Sequence, residues 1–330
     1  MSDRGEALSR LELSAGAIEY RDTGGEGRPL VLLHGVLMDG GQWREVVSHL
    51  IPEYRCILPT LPLGGHRLPM KADADLSLAG QARLLAEFLE MVDLHDATLA
   101  FNDWAAPQIL IAEGLTGRIS GMILVACETA GNYPPGLPGK NLALLGSIPG
   151  GLRALSAMRL PALRRTPVTF GWMAKHGMPD DLVEEWLRGP WSDSAILRDA
   201  RRYIRGTREG RRRLVAATRE LWRFGGPVTV VWATEDRVMP MSEGEALAAA
   251  FPRSRLVIVE DSYVLVPLDQ PRRLAQVIDE HMDWSGAERT AKAPNVHQHD
   301  GIAHGGLIKR SLPEPTSCTA GRDCFRIHAL

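Results

Sequence analysis

Leu99-Ala-Phe-Asn-Asp-Trp-Ala-Ala-Pro107 runs an apolar strand pattern straight into a helix start with almost no loop between them. In a nucleophile elbow the central residue sits on a sharp strand-to-helix turn, and small residues two positions to either side let strand and helix approach closely. Asp103 is the central residue here. Ala105 is the small residue downstream, with Ala106 next, while the upstream position carries Phe101, so a distorted turn is expected. Pro107 fits because the first turn of a helix has no amide partner to lose.

Outward from the elbow, strand and helix patterns alternate. Leu11-Glu-Leu-Ser and Ala17-Ile-Glu-Tyr read as an edge hairpin, and Pro29-Leu-Val-Leu-Leu33 as a strand buried on both faces. A helix is expected from Gly41 to Leu50 and a strand at Arg55-Cys-Ile-Leu58. Ser77 is placed to cap a helix with Leu84, Leu85, Phe88 and Leu89 on one face. Beyond the elbow come a helix from Trp104 to Glu113 and a strand at Met122-Ile-Leu-Val-Ala126. Between about 131 and 224 the patterns are helical, broken by Pro and Gly. Strand signals resume at Val228-Thr-Val-Val-Trp232, followed by a helix from Ser242 to Ala250, a strand at Leu256-Val-Ile-Val259 and a helix from Pro271 to Met282. Repeated βα units predict an α/β fold with a mostly parallel central sheet and helices on both faces. The helical insertion reads as a lid over the carboxyl ends of the strands, where ligands bind in open α/β sheets. The expected organisation is a core of residues 1–130 and 225–284, a helical cap of 131–224, and a disordered Gly-, Pro-, Ser-, Thr- and His-containing tail of 285–330.

Composition narrows the function classes. A chain of 330 residues, 45% hydrophobic and 24% charged, reads as a soluble globular protein. A net charge of −2 gives no footprint for nucleic acid, and no apolar run reaches membrane-spanning length. No signal peptide is read at the N-terminus, and Cys56 and Cys127 lie in apolar strand runs as buried thiols, which fits a cytoplasmic protein. The tail carries His297, His299, His304, Cys318, Cys324 and His328, whose spacing matches no zinc pattern. No phosphate-cradling glycine loop is present either, so neither a metal nor a cofactor is expected. The expected partner is a small molecule, apolar or weakly polar. The dense arginines from Arg198 to Arg223 read first as a solvated helical face, with an anionic substrate as the sharper alternative.

Four landmarks together carry a resemblance: His34-Gly35 after a buried strand, Asp103-Trp104 at the elbow, Trp232-Ala-Thr-Glu-Asp-Arg-Val-Met-Pro240 after a late strand, and Asp261-Ser-Tyr-Val-Leu-Val-Pro-Leu-Asp-Gln-Pro271. Across roughly residues 18–284 the chain resembles the haloalkane dehalogenase and epoxide hydrolase branch of the α/β-hydrolase superfamily. The resemblance implies that Asp103 attacks an electrophilic carbon, displacing halide or opening an epoxide to give a covalent ester. It implies leaving-group donors at the backbone N–H of Trp104 and of Val36, with the Trp104 indole as a halide donor and His34 ordering the oxyanion loop. Dehalogenases often carry asparagine where Val36 stands. Trp172, Trp186 and Trp191 are substitute donors that the sequence does not rank, and Tyr133 and Tyr203 are the tyrosines of the insertion that an epoxide hydrolase would use as acids. Tyr203 lies in an arginine-rich helix and is expected to face solvent. The triad acid would be Asp236 or, one strand after the nucleophile, Glu128.

One position departs from the family. The family histidine falls on Val264, which cannot accept a proton, so a covalent ester would stall unless another base assists water. His95 is expected at the bottom of the sheet, His49 and His281 in outer helices and His176 in the insertion. His66, in Leu61-Pro-Leu-Gly-Gly-His66, lies in a loop opening on the same face as Asp103 and is either a relocated base or an ordinary loop histidine. Three readings stay open: a hydrolase of alkyl halides or epoxides with Asp103 as nucleophile, a lyase or cyclase with Asp103 as general base, and a binding protein that kept the pocket without the chemistry.

Overall fold

The computed structural model describes residues 8–292. Eight strands form one sheet: β1 (Leu8–Leu13), β2 (Gly16–Asp22), β3 (Arg28–Leu33), β4 (Tyr54–Thr60), β5 (Ala97–Asn102), β6 (Ile119–Val125), β7 (Val228–Ala233) and β8 (Ser254–Val259), in the order β1-β2-β4-β3-β5-β6-β7-β8. The β1–β2 and β2–β4 pairs are antiparallel and every other pair is parallel. This is the α/β-hydrolase arrangement, and β5, which ends in the elbow, runs between β3 and β6.

The central parallel strands are mostly apolar because helices cover both faces, and their residues divide with a period of two. Val31 and Leu33 of β3 and Leu99 and Phe101 of β5 join one core, with α2 (Leu78–Met91), α3 (Ala106–Ala112) and the insertion. Leu30, Leu32 and Ala100 join the other, with α1 (Arg44–Leu50) and the C-terminal helix. Ser77 caps α2 as expected, its Oγ accepting from the Gly80 amide at 3.1 Å. The helix expected from Gly41 begins instead with a 3-10 turn over Gly40–Trp43, capped by Asp39, before α1 starts at Arg44.

Between β6 and β7 the chain forms α4 (Gly136–Ser147), a 3-10 stretch (Gly151–Arg159), α5 (Pro161–Arg164), α6 (Asp180–Ser192), α7 (Ser194–Arg205) and α8 (Thr207–Thr218). After β7 come α9 (Met241–Ala249), α10 (Val266–Asp269) and α11 (Pro271–Lys292). The last helix runs ten residues beyond the expected end at Met282; the tail histidines and cysteines lie outside the described residues. No helix among the described residues is long and apolar enough to cross a membrane.

Asp269 shows how the insertion is held to the core. Its carboxylate accepts from the amides of Lys175 and His176 in the insertion and of Tyr263 in the loop after β8, at 2.9, 3.0 and 3.0 Å. One buried side chain thereby ties the insertion to the segment that contains Val264.

Candidate active site

The elbow forms despite Phe101. Asp103 takes φ +56°, the left-handed conformation that costs a non-glycine residue about 1–2 kcal/mol. Phe101 leaves the turn free because its side chain enters the core below, fully buried, with its ring 6.1 Å from that of Trp104. The small residue the turn requires lies across from it: a Cβ on Gly35 would meet the Asp103 Oδ2 at 2.6 Å and its Cβ at 3.0 Å. Asn102 fixes the strand end, donating to the carbonyls of Val125 at 3.0 Å and Val264 at 2.8 Å while accepting from Gln42 at 3.0 Å.

Above the elbow lies a cavity of about 420 Å³ that Val36, Asp103 and Glu128 line from the core side, and Tyr133, Leu155, Phe170 and Tyr203 from the insertion. Most of the remaining lining is aliphatic, and among the described residues it includes no lysine, arginine or histidine. Metal chemistry has no ligand set here, since no three His, Cys, Asp or Glu side chains converge among the described residues.

The two carboxyls of the cavity are therefore uncompensated. Burial pushes Asp103 well above the usual carboxylate range, and the negative charge of Asp236 adds to it. Burial likewise raises Glu128 well above its usual value, with the charge of Asp103 next, while the Ala105 amide pulls the other way. Glu128 Oε2 is buried without a hydrogen-bond partner, and Gln108 holds the residue by donating to its carbonyl at 2.9 Å. Asp236 stands outside the lining: its Oδ1 accepts from the amides of Val238 and Met239 at 2.7 and 2.8 Å, Oδ2 is buried and unpartnered, and burial holds its carboxyl at about 7.

The expected donors separate. Val36 lines the cavity. The Trp104 indole N–H is buried and unpartnered, but Trp104 is not part of the lining. Trp172, Trp186 and Trp191 do not line it either, and the Trp191 indole is committed to the Leu155 carbonyl at 2.9 Å. Tyr203 overturns the expectation that it faces solvent: it is 5% exposed, its hydroxyl is buried without a partner, and it lines the cavity opposite the elbow. The inward face was visible in the spacing of Ile196, Ala200, Tyr203 and Ile204, which lie on one side of α7 and are all buried.

The histidines lie elsewhere. His34 Nε2 accepts from the Leu61 amide at 2.9 Å, so Nδ1 carries the proton and donates to the Gly35 carbonyl at 2.9 Å; its ring orders the loop beside the elbow. His66 is buried but does not line the cavity. Its Nδ1 accepts from the Gly64 amide at 3.2 Å, and its Nε2 faces Asp199 Oδ2 at 3.6 Å. His281 is committed to Thr229 Oγ1 at 2.8 Å beneath the sheet, His176 pairs with Asp261, His95 pairs with Asp93, and His49 is exposed. Val264 is fully buried.

A model of the alpha/beta hydrolase family matches residues 30–277. The chain belongs to that family. An uncharacterised protein of Mycobacterium tuberculosis is 25% identical over 88% of this chain and 83% of its own length. A haloalkane dehalogenase of Mesorhizobium japonicum is 30% identical over 29% of this chain and 30% of its own length. The crystal structure of a loop variant of a haloalkane dehalogenase from Bradyrhizobium elkanii superposes with a TM-score of 0.68 at 15% identity, covering 87% of this chain and 99% of that one. Likeness at that identity shows the shared fold alone. In this chain Asp103 and Glu128 face an otherwise mostly apolar cavity whose lining includes no lysine, arginine or histidine.

The dense arginines from Arg198 to Arg223 stay out of that chamber. Arg201 donates to the Gly146 carbonyl at 3.1 Å, Arg202 to the Lys71 carbonyl at 3.1 Å, and Arg213 pairs with Glu113 and Glu209. None lines the cavity, so these arginines bring no positive charge to it.

Proposed function

We propose that this member of the alpha/beta hydrolase family hydrolyses a small apolar molecule at an electrophilic carbon, an epoxide or an alkyl halide, with Asp103 as the nucleophile. The observation that carries the reading is the placement of Asp103: a carboxylate on the elbow, in left-handed backbone conformation, forming part of the wall of an apolar cavity with no cation to neutralise it. A carboxylate stripped of water and of counter-charge is a stronger nucleophile than one in solution, and the surrounding aliphatic wall holds an apolar electrophile close to it. The dehalogenase relative supports the same chemistry by likeness.

The tyrosines favour epoxides within this pair. Opening an epoxide leaves an alkoxide that needs a proton, and Tyr133 and Tyr203 are among the residues lining the cavity, whereas Trp104, whose indole would suit a departing halide, is not. In this reading the helices from 136 to 218 act as a cap that excludes water, and Asp236 braces the loop after β7 rather than touching substrate. Turnover in ¹⁸O-labelled water, followed by peptide mass spectrometry, tests the assignment: ¹⁸O accumulating in the Asp103 carboxylate is expected.

The histidine-free cavity favours a second reading, in which Asp103 removes a proton from substrate and no ester forms, as in a lyase or cyclase. Product without water-derived oxygen, from an unlabelled Asp103, would select it.

A further inference from the structure

Glu128 is a buried carboxyl in the same cavity as Asp103, and nothing so far gives it work. We propose that Glu128 carries the proton of the reaction, giving it to the substrate oxygen as Asp103 attacks and taking one from water when the Asp103 ester is hydrolysed. The proposal rests on the reading of Asp103 as nucleophile and extends it to the base that Val264 cannot provide.

Three observations on the structure support it. Both carboxyls line one cavity, so a substrate touching Asp103 lies within the same small space as Glu128. Glu128 Oε2 is buried with no hydrogen-bond partner, which is a poor arrangement for a structural carboxylate and a suitable one for an acid awaiting an acceptor. The titratable groups facing the pair bring no positive charge: Asp103 from the β5 elbow, Cys127 beside Glu128 on the chain, Tyr133 before α4, Tyr203 from α7 and Asp236 after β7. Burial and the charge of Asp103 both favour the protonated form of Glu128.

The two steps balance. In the first, an ionised Asp103 oxygen forms a bond to an epoxide carbon, the carbon–oxygen bond of the ring breaks, and the oxygen takes the proton of Glu128. The products are a neutral hydroxyalkyl ester on Asp103 and an ionised Glu128. Esterification removes the negative charge that favoured the proton on Glu128, so the carboxylate is stabilised as an anion once its acid work is finished. In the second step Glu128 takes a proton from water as the water oxygen adds to the ester carbonyl carbon, the bond from that carbon to the alkoxide oxygen breaks, and the alkoxide takes the remaining proton of the added water, leaving Asp103 as carboxylate and releasing a diol. Both groups return to their starting states. An acid that becomes the base of the following step is the logic of a retaining two-carboxyl mechanism.

The cycle selects its substrate class. An epoxide oxygen accepts the proton and leaves Glu128 ready as base. A departing halide accepts none, so Glu128 stays protonated when the ester needs hydrolysing. The proposal therefore assigns the site to epoxides and expects alkyl halides to stop at the ester.

The test uses the whole protein with styrene oxide and 1-bromobutane as probes. The wild-type protein is expected to turn styrene oxide into its diol repeatedly, and to form a lasting butyl adduct on Asp103 with 1-bromobutane. Glu128→Gln should slow diol release by roughly 10²–10⁴-fold and accumulate ester on Asp103. The same variant should still form the butyl adduct, which shows that it is folded and that Asp103 is competent. If Glu128→Gln does not fold, Glu128→Ala with added formate is the alternative, and formate should restore diol release. Diol release by Glu128→Gln at the wild-type rate, with Asp103→Asn inactive, overturns the proton carrier and leaves the nucleophile standing. Rapid turnover of 1-bromobutane overturns the substrate class. Neither adduct nor diol from the wild-type protein removes the nucleophile reading and the proton carrier with it.

Discussion

Asp103 and Asp199 are both buried aspartates, 6% and 0% exposed, and the protein treats them in opposite ways. Asp199, on α7, is surrounded by donors: the Met70 amide at 2.8 Å, Arg198 at 3.1 Å, Arg202 at 3.7 Å and the His66 ring at 3.6 Å. Burial alone would raise it, but the nearby His66 ring, the Met70 amide and Arg198 hold its carboxyl below the usual range. Asp103 has the same burial without compensation, in the company of Glu128 and Asp236. The first carboxylate is spent on joining α7 to the loop of His66 and Met70. The second is left high in energy, and residues kept in that condition are the usual mark of a reacting group.

The largest break in the comparison is Asp103→Asn. Under the proposed chemistry, hydrolysis falls to background, measured by product release at saturating substrate. The fold should tolerate the change or gain on the order of 1 kcal/mol, because a buried unpaired charge is removed. The sign with pH follows from the raised folded-state value. Above the unfolded carboxylate value of about 3.9 the folded state binds more protons than the unfolded one, so wild-type stability falls as pH rises. The stability advantage of Asp103→Asn should therefore widen from pH 4 upward in denaturation curves. A flat difference would mean that Asp103 is compensated after all.

Asp199→Ala should act oppositely, with a cost of about 3–5 kcal/mol for removing one partner of a buried cluster. Its folded-state value is lowered, so its contribution is present above the unfolded carboxylate value and is lost as pH falls through the folded one. Chemical denaturation at neutral pH and again near pH 3 checks both the size and the shrinkage of the difference. Gly35→Ala comes next, at about 1–3 kcal/mol for the overpacking against Asp103. It should also lower the rate, by pushing the carboxylate out of line, while Asp199→Ala should act mainly on stability.

The two aspartates were unequally legible in the sequence. Asp103 announced itself because an elbow is local: a strand, a turn and a helix start within nine residues, and the parallel sheet around it follows from apolar runs of strand length. Phe101 was misleading, since the crowding rule concerns space, and the space is provided by Gly35 from the loop after β3. Asp199 gave no signal, because two of its four partners, His66 and the Met70 amide, lie over 120 positions away. Tyr203 sits between these cases: its helical face was readable, but what that face covers depends on how the insertion folds over the sheet. Glu128 was read for its place in a triad, yet a triad acid needs a histidine to orient, and among the described residues of the cavity there is none.

His66→Ala is the smallest expected effect and the one that separates the two regions most sharply. Truncation removes a ring that accepts from the Gly64 amide and faces Asp199, so a loss of about 1–2 kcal/mol is expected from the broken hydrogen bond. Arg198, Arg202 and the Met70 amide still hold Asp199, which keeps the loss below that of Asp199→Ala. Activity per folded molecule should stay within about twofold, because Nδ1 is occupied by an amide donor and the proton on Nε2 points at Asp199, leaving no lone pair to activate water. Rates normalised to folded protein by a denaturation curve make the comparison. A loss of two orders of magnitude with an unchanged denaturation midpoint would move His66 from the structural carboxylate to the reacting one, because only a group acting on water or substrate would cost so much rate and so little stability.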